Sequence, residues 1–391
     1  MKSFTADYVF PVCADPIKNG IVTVNDLGRI ISVTESHSHN PDSGPVEHLK
    51  GIICPGFVNT HCHLELSHLR DKLSQRKGLI NFIKEIQAVR AADHKTILKA
   101  AEKADKEMYD NGIVAVGDIS NSDISLSVKS DSKIYYHTFV EVFSFIPSKA
   151  RETFDNALTL LGKFKQQSCS ITPHAPYSVS KELFKLIRKH CDGNTPNLLS
   201  IHNQESEDEN KFYRYRLGGF IDLYEHFGLD ISYFKSQARN SLQSVLPLLS
   251  SRQDILFVHN TFTNLKDIYF IKRFDRKVHF CFCPGANLYI ENRLPKIDLF
   301  VDQGFNLTLG TDSLASNNKL CILTEMRLIQ EKFPTISTAK LIEWGTINGA
   351  RYLGIDEDKG TLEAGKTPGL NLITGLDNLK ITPDTKVKRL V

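Results

Sequence analysis

The chain has 391 residues, 41% of them hydrophobic and 24% charged, with a formal net charge of +3. This length suits one large domain plus a smaller one, and the composition is that of an ordinary soluble globular protein. The basic stretches at 272–277 and 386–389 are short enough to be solvated faces. They argue against a nucleic-acid partner, and no apolar run is long enough to span a membrane.

Residues 1–50 alternate short β-like segments at 8–12, 20–24 and 29–33 with turn residues such as Asp26, Gly28 and Pro41. No signal-peptide core stands at the start. Residues 52–59, 113–119, 134–143, 169–173, 198–202, 255–259, 278–283 and 305–309 follow as apolar strand candidates. Helical stretches at 79–90, 96–111, 181–191 and 320–332 separate some of them. Strands this apolar fit a sheet covered on both faces. Eight of them with crossover helices predict an α/β fold, a (β/α)8 TIM-like barrel over 51–355, with an open doubly wound sheet as the alternative. The stretch 207–250 is too long for a simple crossover and is expected to hold a helical insertion over the barrel mouth. The end of the chain, with a strand at 370–373, reads like its beginning. A small β-sandwich domain built from 1–50 plus 356–391 is therefore expected. The eight scattered cysteines include no CxxC pair and point to reduced thiols and a cytoplasmic protein. Cys281 and Cys283 share one face of a strand and are read as buried structural residues.

The expected strand ends carry the chemistry, because catalysis in such barrels sits at the C-terminal ends of the strands. The first ends in Asn59-Thr60-His61-Cys62-His63, and residues two apart point the same way, so His61 and His63 can face one metal ion. The fifth ends in His202, the sixth in His259 and the eighth in Gly310-Thr311-Asp312. Imidazoles with one carboxylate suit one divalent metal ion, zinc first and iron second.

PGFVNTHCH, His202, His259 and GTDS together resemble the amidohydrolase superfamily, in its cytosine-deaminase-like and chlorohydrolase branch. The similarity extends through GTLEAGKTPGL near the end of the chain. It implies metal ligands at His61, His63, His202 and Asp312, and a water-orienting role for His259. Glu205, three residues after His202, is then the group that carries a proton to a ring nitrogen. Attack on an aromatic ring carbon needs the adjacent nitrogen to take up that proton. Binuclear members of the superfamily place a lysine at the end of strand four. Here that place reads Pro173-His174-Ala175-Pro176-Tyr177-Ser178, which implies a single metal and a substrate contact at His174. Glu65 and Glu141 are further candidates for substrate contact, whereas Asp118 reads as structural.

The implied catalytic residues are thus Glu205, His259 and Asp312, acting with water on a small heterocycle. The segment His63-Leu64-Glu65-Leu66-Ser67 is similar to aminodeoxyfutalosine deaminases, which implies an adenine-containing nucleoside as substrate. The alternatives are a chlorohydrolase or other amidohydrolase acting on a pterin, triazine or pyrimidine, and a non-catalytic barrel scaffold. A homodimer is the candidate assembly.

Overall fold

The computed structural model describes residues 1–36, 45–193 and 198–391. The turn expected at Pro41 lies outside the described residues.

Among the described residues the chain begins with seven strands: β1 (Lys2–Thr5), β2 (Tyr8–Val9), β3 (Ile17–Lys18), β4 (Ile21–Val24), β5 (Ile30–Thr34), β6 (Val46–His48) and β7 (Ile52–Pro55). Eight more follow: β8 (Phe57–Cys62), β9 (Ile113–Ser120), β10 (Tyr135–Val142), β11 (Ser168–Pro173), β12 (Leu198–Asn203), β13 (Asp254–His259), β14 (Lys277–Phe282) and β15 (Asn306–Leu309). The chain closes with β16 (Leu370–Thr374) and β17 (Lys386–Arg389). The strand expected over 8–12 stops at Val9. Pro11 has no amide hydrogen to give a ladder, and Val12 adopts φ +72°.

Strands from both chain ends pair with one another. One sheet has the order β5-β4-β1-β6 and the other β17-β16-β7-β2-β3. Phe4, Val9, Val22, Ile30, Ile53, Leu370 and Leu372 share one buried apolar cluster between them. The expected single strand over 52–59 is in fact two. β7 pairs with β2 and β16 in the terminal sheet, and only β8 joins the parallel set. Gly56 makes the change of sheet feasible. A Cβ there would stand 2.3 Å from Val114 Cγ1 and 2.7 Å from the Pro368 carbonyl oxygen.

β8 to β15 form two four-stranded parallel sheets, in the orders β11-β10-β9-β8 and β12-β13-β14-β15. The sheets meet at two seams. The backbone amides of Thr311 and Asp312 both donate to the His61 carbonyl, at 3.1 and 3.0 Å. On the other side Ser200 N donates to Thr172 Oγ1 at 2.9 Å, and His202 N donates to the His174 carbonyl at 2.9 Å. β8 and β9 are buried along their whole length, as parallel strands covered on both faces are.

Helices α1 (Leu79–Val89), α2 (His94–Asp110), α3 (Leu126–Asp131), α4 (Ala150–Lys163) and α5 (Lys181–Asp192) fall between these strands. The stretch 207–250 holds three helices, α6 (Glu207–Tyr215), α7 (Gly219–His226) and α8 (Ser241–Val245). Among the described residues no helix is long and apolar enough to cross a membrane.

A buried ion pair braces the strand ends. Lys129 Nζ on α3 lies 2.6 Å from Asp118 Oδ2 on β9, and both side chains are fully buried. Lys129 also donates to Ser120 Oγ and Thr138 Oγ1, while Asp118 Oδ1 accepts the backbone amide of Leu64 at 2.7 Å. Asp118→Ala leaves the ammonium buried without its counter-charge. It is expected to cost about 3–5 kcal/mol of stability, read as a lower midpoint in chemical denaturation.

Candidate metal centre and substrate cavity

Every ligand candidate sits at the C-terminal end of a parallel strand. His61 lies within β8 and His63 just beyond it, His202 lies in β12, His259 ends β13, and Asp312 follows β15. Alternation along β8 turns His61 and His63 to one side, with Cys62 buried on the other. Behind His61 the chain must be Gly310. A Cβ there would lie 2.9 Å from His61 Cβ and 2.8 Å from Cys281 Sγ. The two thiols of Cys281 and Cys283 are 3.8 Å apart and buried on that side.

The polar atoms converge on one point. His63 Nε2 stands 3.2 Å from His61 Nε2, 3.3 Å from His202 Nε2 and 3.3 Å from Asp312 Oδ1. His61 Nε2 is 3.7 Å from Asp312 Oδ1. Ligand atoms about 2.0–2.1 Å from a tetrahedral zinc ion stand roughly 3.3 Å apart, so these spacings fit one such ion. His61, His202, His259 and Asp312 also lie mutually within 4.8 Å. Five groups therefore surround the point.

The outer nitrogens fix which atoms face inward. His202 Nδ1 donates to the His174 carbonyl at 2.7 Å, and His259 Nδ1 donates to Asn287 Oδ1 at 2.9 Å. Each ring then turns its unprotonated Nε2 to the centre. His259 Nε2 is buried without a hydrogen-bond partner among the described residues, as a nitrogen reserved for a ligand or water would be. Burial lowers the basicity of all four imidazoles, with His63 brought down to about 3. Burial opposes charge on Asp312, but the imidazoles of His61, His63 and His259 outweigh it and hold the carboxyl well below its usual range. Ser316 Oγ donates to its second oxygen at 2.6 Å. His259 and Asp312 both have positive φ, +71° and +56°, a strain of the kind that collects at functional sites.

Glu205 adjoins this centre. Its Oε1 lies 3.7 Å from His259 Nε2. Burial, then the charges of Asp312 and Glu291, push its carboxyl well above the usual range. The turn carrying it is gripped from below. Glu209, fully buried, accepts the backbone amides of Gln204 and Glu205 at 3.0 and 3.1 Å. Ser206-x-x-Glu209 has capping-box spacing, a legible mark of this helix start. The Glu209 carboxylate, however, reaches past Ser206 to the two residues before it.

A cavity of about 460 Å³ opens over the centre. His63, His202, His259, Asp312, Glu205, His174 and Glu141 line it, as do Leu223 and Tyr224 from α7 of the insertion. Burial raises Glu141 to about 8. Glu141, His174 and His202 form a second close group, but His202 Nδ1 already donates its hydrogen to the His174 carbonyl and offers no lone pair there. Glu65, expected to face substrate, does not line the cavity. Its oxygens accept the amides of Asn121 and Ser122 and the Ser122 hydroxyl, at 2.9, 3.2 and 2.9 Å. It supports the turn after β9 instead.

Asn287, Asn121, Glu209 and Lys129 were not singled out by the sequence reading. Asn287 had one faint signal, a lone amide soon after the end of β14. Asn287→Ala frees the His259 ring and is expected to lower turnover by about 10–100-fold, measured alongside the metal content of the variant.

The amidohydrolase family model matches residues 52–390. The chain belongs to the amidohydrolase family. An adenosine deaminase of Helicobacter pylori is 28% identical over 330 residues, covering 82% of this chain and 78% of the relative. The structure of Helicobacter pylori aminofutalosine deaminase in complex with methylthio-coformycin superposes with a TM-score of 0.81 at 19% identity over 100% of both chains. A zinc-bound adenosine deaminase from Xanthomonas campestris gives a TM-score of 0.74 at 22% identity, covering 98% of this chain and 86% of that one. At these identities the two structures bear on fold alone.

Proposed function

We propose that the chain is a metal-dependent hydrolytic deaminase of an adenine nucleoside, with one divalent ion per chain. The observation that carries this reading is one cluster of candidate ligand atoms 3.2–3.3 Å apart with the Glu205 carboxyl beside it, its Oε1 3.7 Å from His259 Nε2. The sequence relative named an adenosine deaminase supports the same substrate class.

In this reading His61, His63, His202 and Asp312 hold the ion, zinc first and iron second. His63 is preferred to His259 as the fourth ligand because its Nε2 lies 3.2–3.3 Å from the other three, whereas His259 Nε2 faces Glu205. The ion, when bound, supplies a hydroxide nucleophile near neutral pH. Asp312 and His259 orient the attacking water and accept its proton. Glu205 gives its proton to N1 of the purine as C6 is attacked. Asp312 then passes the proton taken from water to the departing ammonia, and the hydroxyl on C6 returns a proton to Glu205 as the carbonyl forms. His174 contacts the ring.

The two parallel sheets are read as one closed (β/α)8 barrel, on the support of the hydrogen bonds at both seams. The terminal sheets are read as a β-sandwich, on the support of their shared apolar cluster. The division into 1–50 plus 356–391 and 51–355 then shifts by β7, which pairs with the terminal strands.

The test is incubation of metal-loaded protein with adenosine and its 5′-substituted derivatives, aminodeoxyfutalosine included, followed by the ultraviolet change from adenine to hypoxanthine. Turnover with ammonia release is expected. Turnover of a pterin, pyrimidine or triazine with none on adenine nucleosides refutes the substrate class. Release of chloride without ammonia refutes the reaction.

A further inference from the structure

Resting on the adenine-nucleoside reading, we propose that Glu141 binds a hydroxyl of the substrate's sugar, and that Glu65 sets its position through Asn121. Glu141 lies next to last in β10 and lines the cavity, with its side chain only 3% exposed. Its Oε2 accepts Asn121 Nδ2 at 3.0 Å. Its Oε1 is buried without a hydrogen-bond partner among the described residues. A buried oxygen of this kind costs stability unless something satisfies it.

The placement of this oxygen indicates what satisfies it. Oε1 lies 3.9 Å from Nδ1 of His202, the ring nitrogen turned away from the metal cluster. Glu205 instead faces the inward Nε2 of His259. The two carboxyl groups thus line one cavity beside different imidazoles. Glu205 is at the reacting edge of the purine, and Glu141 stands beside His202 on the side turned away from the metal cluster. When C6 and N1 sit at the metal and Glu205, the outer part of the substrate is the sugar on N9. A sugar hydroxyl both donates and accepts, so it pairs with a carboxyl oxygen whatever that oxygen's protonation. The outer ring nitrogens N3 and N7 only accept.

Glu141 is also held for such a task. Asn121 lines the cavity beside it, and Glu65 Oε1 fixes Asn121 through its backbone amide at 2.9 Å. Glu65 is therefore a positioning residue, one step removed from the substrate.

The experiment measures kcat and KM of the metal-loaded enzyme for adenosine, 2′-deoxyadenosine and 3′-deoxyadenosine, with metal content determined for every variant. For wild type, loss of the hydroxyl that Glu141 holds should lower kcat/KM roughly tenfold to hundredfold, mostly through KM. Glu141→Ala should lose about as much on adenosine and little further on that deoxynucleoside. Glu141→Gln, which can still pair with a hydroxyl and with Asn121, should keep most of the discrimination. Glu65→Gln should raise KM for adenosine with kcat held, and leave the deoxynucleoside unaffected. Competitive inhibition by inosine and its 2′- and 3′-deoxy forms gives the same comparison without turnover. Equal losses on all three nucleosides in Glu141→Ala, or no loss on adenosine, overturn the proposal. Wild-type enzyme that deaminates none of the three, yet binds inosine with the expected hydroxyl preference, leaves Glu141 assigned and counts against the deaminase reading.

Discussion

Glu205→Gln is expected to lower turnover by about 10²–10⁴-fold while the protein keeps its metal. The amide matches the carboxyl in shape and stays within the grip of Glu209 on the backbone of residues 204 and 205. It cannot deliver a proton to the ring nitrogen. The proposed ligand atoms stand apart from it, since the nearest imidazole nitrogen to Glu205 belongs to His259. Elemental analysis should therefore find the same ion content in wild type and variant. Near-normal rates, or a variant stripped of metal, would show that Glu205 has some other role.

His63→Ala and Asp312→Asn are expected to lose both metal and activity. The ion supplies several kcal/mol of transition-state stabilisation, and each 1.36 kcal/mol is tenfold in rate, so a fall of about 10³-fold or more follows. Both side chains stand at the cavity floor, with 10% and 9% of their surface exposed, and neither belongs to the apolar clusters. Circular dichroism should thus show the fold retained. Wild type should hold one ion per chain. Two tightly bound ions would contradict the single centre, because the second close group draws on His202, whose Nδ1 hydrogen is engaged and whose Nε2 faces the first cluster. Activity that survives loss of the ion would contradict the mechanism itself.

Much of the fold is legible in the amino-acid sequence, for a local reason. Burial on both faces of a parallel strand favours a high apolar content, and all eight parallel strands lie within a few residues of the apolar stretches legible in the sequence. Period-two geometry alone places His61 and His63 on one side of β8. The helical character of 207–250 also follows from its length. The short strands β1, β3, β6 and β17 leave no comparable mark. A two- to four-residue segment carries too little pattern to mark itself. Pairing can also be remote: β16, which does read as a strand, pairs with β7 more than three hundred residues earlier.

The sequence by itself determined the chemistry at the strand ends: four imidazoles, one aspartate and a glutamate three residues after the third histidine. These are local facts, set by residue type and strand periodicity. Only the tertiary structure decided how they combine. It placed His63 closer than His259 to the other ligand atoms, and supplied Asn287 to orient His259 across 28 residues. It withdrew Glu65 from the cavity by giving its oxygens three donors more than fifty residues away, and left Glu141 with one oxygen open. Which buried polar atom is satisfied depends on contacts between distant segments. Only packing creates those contacts, and no local pattern in the chain encodes them.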